Sequence, residues 1–225
     1  MNQFIEVTKT LLLAFLEYTV PLFVITLVAA IPLGLLFAFA SMSKIKWISR
    51  TMQLIIWVVR GVPLMLLVIL LYNGPGILSG GNFIYSESPY YDALIPISIA
   101  FIINYACYFS EIFRGGIESI PKGQYEACQV LGMTKAQAFF KVILVQLIKK
   151  ILPATSNEVM TLIKDTALAN VTGSFSELIL TAQKETIKTQ QLWPLFYTAV
   201  FYLAAVGIFT LLFKLFEKKL SYFKA

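Results

Sequence analysis

Five stretches of this 225-residue chain, at about 11–40, 52–72, 93–113, 142–163 and 192–216, stay apolar for the length of a membrane crossing. A helix needs about 20 apolar residues to traverse ~30 Å of hydrocarbon. Lipid offers the backbone no hydrogen-bond partner, so such stretches fold as helices. A water-soluble chain could not hide them: 58% of the residues are hydrophobic and 13% charged, where a soluble domain is about half apolar and about a quarter charged. The expected fold is an all-α membrane protein with about five transmembrane helices, residues 1–225 forming a single membrane domain. Pro21, Pro32 and Gly34 interrupt the first stretch, Arg60, Gly61 and Pro63 lie inside the second, and Pro153 breaks the fourth. A mid-span proline frees a carbonyl, so Pro153 is read as the place where a helix bends to form a polar site. The stretch 73–92, with four glycines and no basic residue, reads as an irregular outer loop.

Lys and Arg set the orientation, because basic residues beside helix ends stay cytoplasmic. Of the 18, thirteen fall in 41–50, in 114–150 and at the C-terminal end, and four (Lys9, Lys164, Lys184, Lys188) on the opposite side. The bias predicts an N-terminus outside and a C-terminus in the cytoplasm. The first residues lack the charged start and small-residue cleavage site of a signal peptide, so the first span is expected to persist. Cys107 and Cys128 lie in or near apolar segments and read as buried hydrophobes.

The segment 118–141 reads as a helix–turn–helix elbow. Pro121 suits the start of a helix. Gly132 suits a left-handed C-terminal position. Thr134 followed three residues later by Gln137 forms a capping box. Glu126 and the Gly132 turn are placed near the tip.

Here a resemblance emerges. Glu126-Ala127-Cys128, three residues, then Gly132 resembles the EAA loop of ABC importer permeases, with Cys128 in place of the second alanine. The Ile-x-Leu-Pro stretch that follows in the family is Val142-Ile143-Leu144-Val145 here. Glu111 to Ile117 and Ser119 to Gln124 look like the approach to that loop in polar amino acid permeases. Arg60-Gly61-Val62-Pro63 is similar to their Arg-Gly-Thr-Pro element. Leu152-Pro153 to Asn157-Glu158, then Lys164-Asp165-Thr166-Ala167-Leu168, matches their fourth span. Together these cover roughly residues 20–215. The resemblance implies a type I ABC importer permease in a bacterial cytoplasmic (inner) membrane. It implies a coupling loop in which Glu126, Ala127, Gly132 and Gly123 meet the ATPase. It also implies two cytoplasmic ATPase subunits that bind ATP-Mg, a second permease copy or paralogue, and an extracytoplasmic amino-acid-binding protein. No cofactor is expected in this chain itself, and no nucleic acid; lipid is its other neighbour.

Charged groups within the spans are costly, about 2.5–3.5 kcal/mol each at mid-bilayer, and should face a polar cavity or a partner. Glu158 and Asp165 are seven residues apart, nearly two turns, and share a helix face with Thr161 and Leu162 between them. That face suits an ammonium or a cationic side chain, although Asp165 could instead pair with Lys164. Arg60 could hold a carboxylate through two hydrogen bonds, or pair with Glu111 or Glu158. Asn104, Tyr108 and Glu111 follow i, i+4, i+7 spacing and make one polar face, with Asn104 as a substrate contact and Glu111 as a salt-bridge partner. The substrate-binding candidates are therefore Glu158, Asp165, Arg60, Asn104 and Thr161.

The chain contains no histidine, no Cys-x-x-Cys and no Gly-x-x-x-x-Gly-Lys-Ser/Thr phosphate loop. It offers little to a membrane hydrolase and cannot itself be the ATPase. It shows no rings of like residues that would line a passive channel.

Overall fold

Each helix-breaking residue plays its own part in the computed structural model, which describes residues 2–81 and 85–220. The first stretch is one unbroken helix, α1 (Gln3–Ser41), of 39 residues. It runs through Pro32, and a π-helical turn over Phe15–Thr19 lies just ahead of Pro21, where the backbone already departs from the usual register. Gly34 is buried because α1 lies against α4 (Pro89–Glu118) there. A Cβ at position 34 would stand 2.8 Å from Phe109 Cβ and 2.9 Å from the Ala106 carbonyl oxygen.

The second stretch is two helices, α2 (Lys46–Gly61) and α3 (Leu64–Leu78), meeting at 98°. The cause is local. Proline disfavours the helical region for the residue before it, and Val62, at φ −95° and ψ 132°, is extended. Pro63 then starts α3. The expected break at Pro153 is not there: α7 (Leu144–Asp165) continues through that proline. The outer segment also differs from expectation, since 73–78 belongs to α3, Pro75 included. The part of that segment at 82–84 lies outside the described residues.

Among the described residues three helices are long and apolar enough to cross a membrane, namely α1, α4 and α9 (Trp193–Leu220), or four when α2 and α3 count as one bent span. The remaining expected span, the fourth, is α7, with 22 residues, about 33 Å at ~1.5 Å each. It is long enough, but Lys149, Lys150, Glu158, Lys164 and Asp165 set it apart from the apolar helices. It is the polar wall of the bundle. Between α7 and α9 come a 3₁₀ segment, Thr166–Thr172, and α8 (Leu178–Thr189). Glu177 caps α8, its carboxylate accepting from the Ile179 and Leu180 amides at 2.7 Å.

The core centres on α4, where Phe101, Tyr105, Phe109 and Phe113 repeat every fourth residue, all buried. They pack with Leu22, Phe23 and Ala30 of α1, Val68 of α3 and Leu162 of α7. A smaller cluster joins Val7 and Leu11 of α1 to Leu178 and Ala182 of α8. The outer flank of α9 is bare, with Leu203, Ile208, Leu211 and Leu215 exposed. Such a surface suits lipid. Cys107 and Cys128 are free and buried.

The elbow forms as its residues dictate. Pro121 caps α5 (Lys122–Val130). Gly132 has φ +68°, a conformation open to glycine at little cost. The Met133 amide closes the turn onto the Cys128 carbonyl at 3.0 Å. The Thr134–Gln137 capping box is complete at the start of α6 (Lys135–Ala138), which runs through a π turn into α7. Gln146 Nε2 donates to Gln124 Oε1 at 3.0 Å and Lys150 Nζ to the Ser119 carbonyl at 2.6 Å, tying the elbow to α7.

Candidate functional site

The break at Val62–Pro63 opens a cavity of about 450 Å³ between α2, α3, α4 and α7. Its walls bring together all five substrate-binding candidates: Arg60, Asn104, Glu158, Thr161 and Asp165. Tyr105 and Tyr108 complete the polar lining. The two carboxylates share the cavity face of α7, as seven-residue spacing requires. Leu162, expected on that face, instead points into the core and is fully buried. A residue four after Glu158 is not quite above it, and here the rotation is enough to separate wall from core.

Asp165 is held by Tyr105 of α4, whose hydroxyl donates to Oδ2 at 2.7 Å. The alternative Lys164 partner is exposed and makes no ion pair with it among the described residues. Glu158 makes no hydrogen bond or ion pair among the described residues and is only partly buried. Thr161, in the cavity wall, donates to the Asn157 carbonyl at 3.0 Å. Asn104 is 4% exposed.

Arg60 ends α2. Its guanidinium lies 4.9 Å from the centroid of the Tyr108 ring, a cation–π distance, and Nη1 is 3.7 Å from Glu111 Oε2. Of the two acidic partners considered from sequence, Glu111 is the one in reach. Glu111 faces a second cavity, of about 280 Å³, with Gln53, Ile56, Trp57, Arg60 and Arg114. The helix break and the Tyr105–Asp165 bond were the parts the sequence reading missed. The signal for the break was present in Val62-Pro63, an ordinary extended X–Pro pair.

The elbow residues Gly123, Glu126, Ala127 and Gly132 are exposed. Val130 and Leu131 are 88% and 77% exposed, an apolar pair in the open at the elbow's turn.

A helical bundle with a broken helix, a charged cavity at the break and a projecting elbow defines a membrane transport subunit. Residues 30–222 match the family described as the binding-protein-dependent transport system inner membrane component. The arginine ABC transporter permease protein ArtM of Haemophilus influenzae is 31% identical over 212 residues, covering 89% of this chain and 88% of that one. The L-cystine transport system permease protein TcyB of Bacillus subtilis is 37% identical over 154 residues, 68% of this chain and 62% of that one. The crystal structure of an amino acid ABC transporter with histidines superposes with a TM-score of 0.82 at 32% identity, covering 96% of both chains. The methionine ABC transporter MetNI, at 17% identity and a TM-score of 0.63, shares the fold.

The chain belongs to the inner membrane components of binding-protein-dependent transport systems, and within them to the amino acid ABC importer permeases. It is a multi-pass inner membrane protein and the transport component of an assembly that includes ATPase partners and a substrate-binding protein.

Proposed function

We propose that this chain lines the translocation pathway for a polar amino acid, preferentially a cationic one, and that the cavity at the α2–α3 break is where the amino acid dwells. One observation carries the reading: a guanidinium and two carboxylates, Arg60 against Glu158 and Asp165, face one cavity. An amino acid presents the complementary pair. Arg60 takes the α-carboxylate through its planar fork, and Glu158 takes the ammonium. Asp165, with Thr161 and Asn104, is left for a basic side chain. The relatives named for arginine and for histidines are consistent with that preference.

Coupling is assigned to the elbow. Exposed Val130 and Leu131 beside Glu126 offer an apolar and acidic tip for an ATPase groove. Gln124–Gln146 and Ser119–Lys150 would pass its movement to α7, on which both cavity carboxylates sit. The lysine and arginine distribution favours a cytoplasmic elbow. Two permease subunits, identical or paralogous, would enclose the path, and the chain performs no chemistry on its substrate.

The test is ATP-dependent uptake of labelled amino acids into proteoliposomes holding the permease, its ATPase and its binding protein. Uptake of lysine, arginine or histidine, lost in Glu158→Ala with assembly intact, is expected. Uptake of neutral amino acids alone, or indifference to Glu158→Ala, would refute the specificity argument. Absence of ATP-driven uptake of any amino acid would refute the transport reading.

A further inference from the structure

Among the described residues, Arg60 alone lines both cavities. On one side lie Glu158 and Asp165, and on the other Glu111 and Arg114. Its hold on Glu111 is loose. Glu111 gives its closest contacts to Arg114, which donates from Nε to Oε1 at 3.1 Å and from Nη2 to Oε2 at 2.7 Å. Arg60 is left with a 3.7 Å approach to the oxygen already engaged. Arg114 is steadied in turn by Glu118, at 2.9 Å from its Nη1. The guanidinium of Arg60 thus has two resting partners, a shared carboxylate and the face of Tyr108, and neither satisfies its fork. A two-pronged Arg–carboxylate contact is the stronger arrangement.

We propose that Arg60 is a substrate-competed latch: it rests on Glu111, transfers to the carboxylate of an amino acid in the first cavity, and Arg114 sets the balance by occupying Glu111. Glu111 and Arg114 lie outside the first cavity, so they are positioning residues that act through Arg60. The proposal rests on the amino acid occupying that cavity.

The roles have opposite signs. Removing the competitor frees Arg60, so Glu111→Gln strengthens amino acid binding. Removing the group that occupies the competitor lets Glu111 close on Arg60, so Arg114→Gln weakens binding. Partly exposed ion pairs are worth up to about 1 kcal/mol, so each change is at most about fivefold. In the Glu111→Gln background Arg114→Gln has no further effect, because the competitor is already gone. A purely structural role would weaken binding in both single variants and add in the double.

The experiment is equilibrium binding to the purified permease–ATPase complex in lipid nanodiscs, with the binding protein omitted. A panel of labelled L-amino acids is screened on the wild type, and the tightest binder is the probe for all variants. Opposite shifts for Glu111→Gln and Arg114→Gln, with the double variant matching Glu111→Gln, support the latch. Shifts of the same sign, additive shifts or none overturn it. Arg60→Ala and Glu158→Gln separate the two levels. If both weaken the probe while the positioning variants do not diverge, the cavity stands and the latch falls. If neither weakens it, or if nothing in the panel binds, the cavity reading falls and the latch with it.

Discussion

Replacing Gly34 by alanine adds one methyl group at the closest approach of α1 and α4. The new Cβ would lie 2.8 Å from Phe109 Cβ and 2.9 Å from the backbone oxygen of Ala106. Carbon atoms pack best at about 3.5–4.0 Å, so one helix must retreat by roughly 0.5–1 Å. The Ala106 oxygen belongs to the backbone of a continuous helix and cannot turn aside as a side-chain tip can. Overpacking of this kind costs about 1–3 kcal/mol, while alanine regains up to about 1 kcal/mol of helix propensity over glycine. The net expectation for Gly34→Ala is a loss of about 0.5–2 kcal/mol. Gly207, in α9, is the control, since a Cβ there meets nothing within 4 Å. Gly207→Ala should leave the protein unchanged or slightly more stable. The assay is the temperature at which half of the detergent-purified complex loses its monodisperse peak. A lowered midpoint for Gly34→Ala beside an unchanged or raised one for Gly207→Ala is the expected pattern. Equal behaviour of the two variants would refute the argument that α1 and α4 meet backbone to backbone at Gly34.

Gly132→Val forces a β-branched residue to φ +68°, costing of order 1–3 kcal/mol in the turn. The variant should insert normally while its ATPase partner loses stimulation by the loaded binding protein; full stimulation would count against the elbow as the coupling element. Tyr105→Phe removes the 2.7 Å donor to Asp165, a hydrogen bond to a charged group worth about 1.5–3 kcal/mol. Amino acid binding in nanodiscs should weaken about tenfold or more, and unchanged affinity would show that Asp165 needs no such support.

The sequence was most legible where chemistry is local. Gly132, Thr134 and Gln137 specify their turn through positive φ and a reciprocal cap, and both are present in the structure. Glu158, Thr161 and Asp165 sit on one wall because helical periodicity leaves little freedom once the helix exists. What could not be read depends on neighbours. Two prolines within expected spans behave differently. Pro63 breaks its span because Val62 goes extended, whereas α7 absorbs Pro153. Leu162 was placed on the carboxylate face by spacing alone, but its rotation from Glu158 around the helix carries it into the core. The same holds for Tyr105 and Asp165, 60 residues apart, whose meeting depends on how α4 and α7 cross. Glu177, a buried helix cap, gave no signal, since its burial comes from the neighbouring helices rather than from its own segment.

The most direct test of the account is a cryo-EM map of the permease–ATPase complex in nanodiscs, saturated with the tightest-binding amino acid. The account predicts density at the α2–α3 break, with the ligand carboxylate on Arg60, the ammonium at Glu158, and Arg60 drawn away from Glu111. Ligand density elsewhere, with an empty break and Arg60 still beside Glu111, would contradict it.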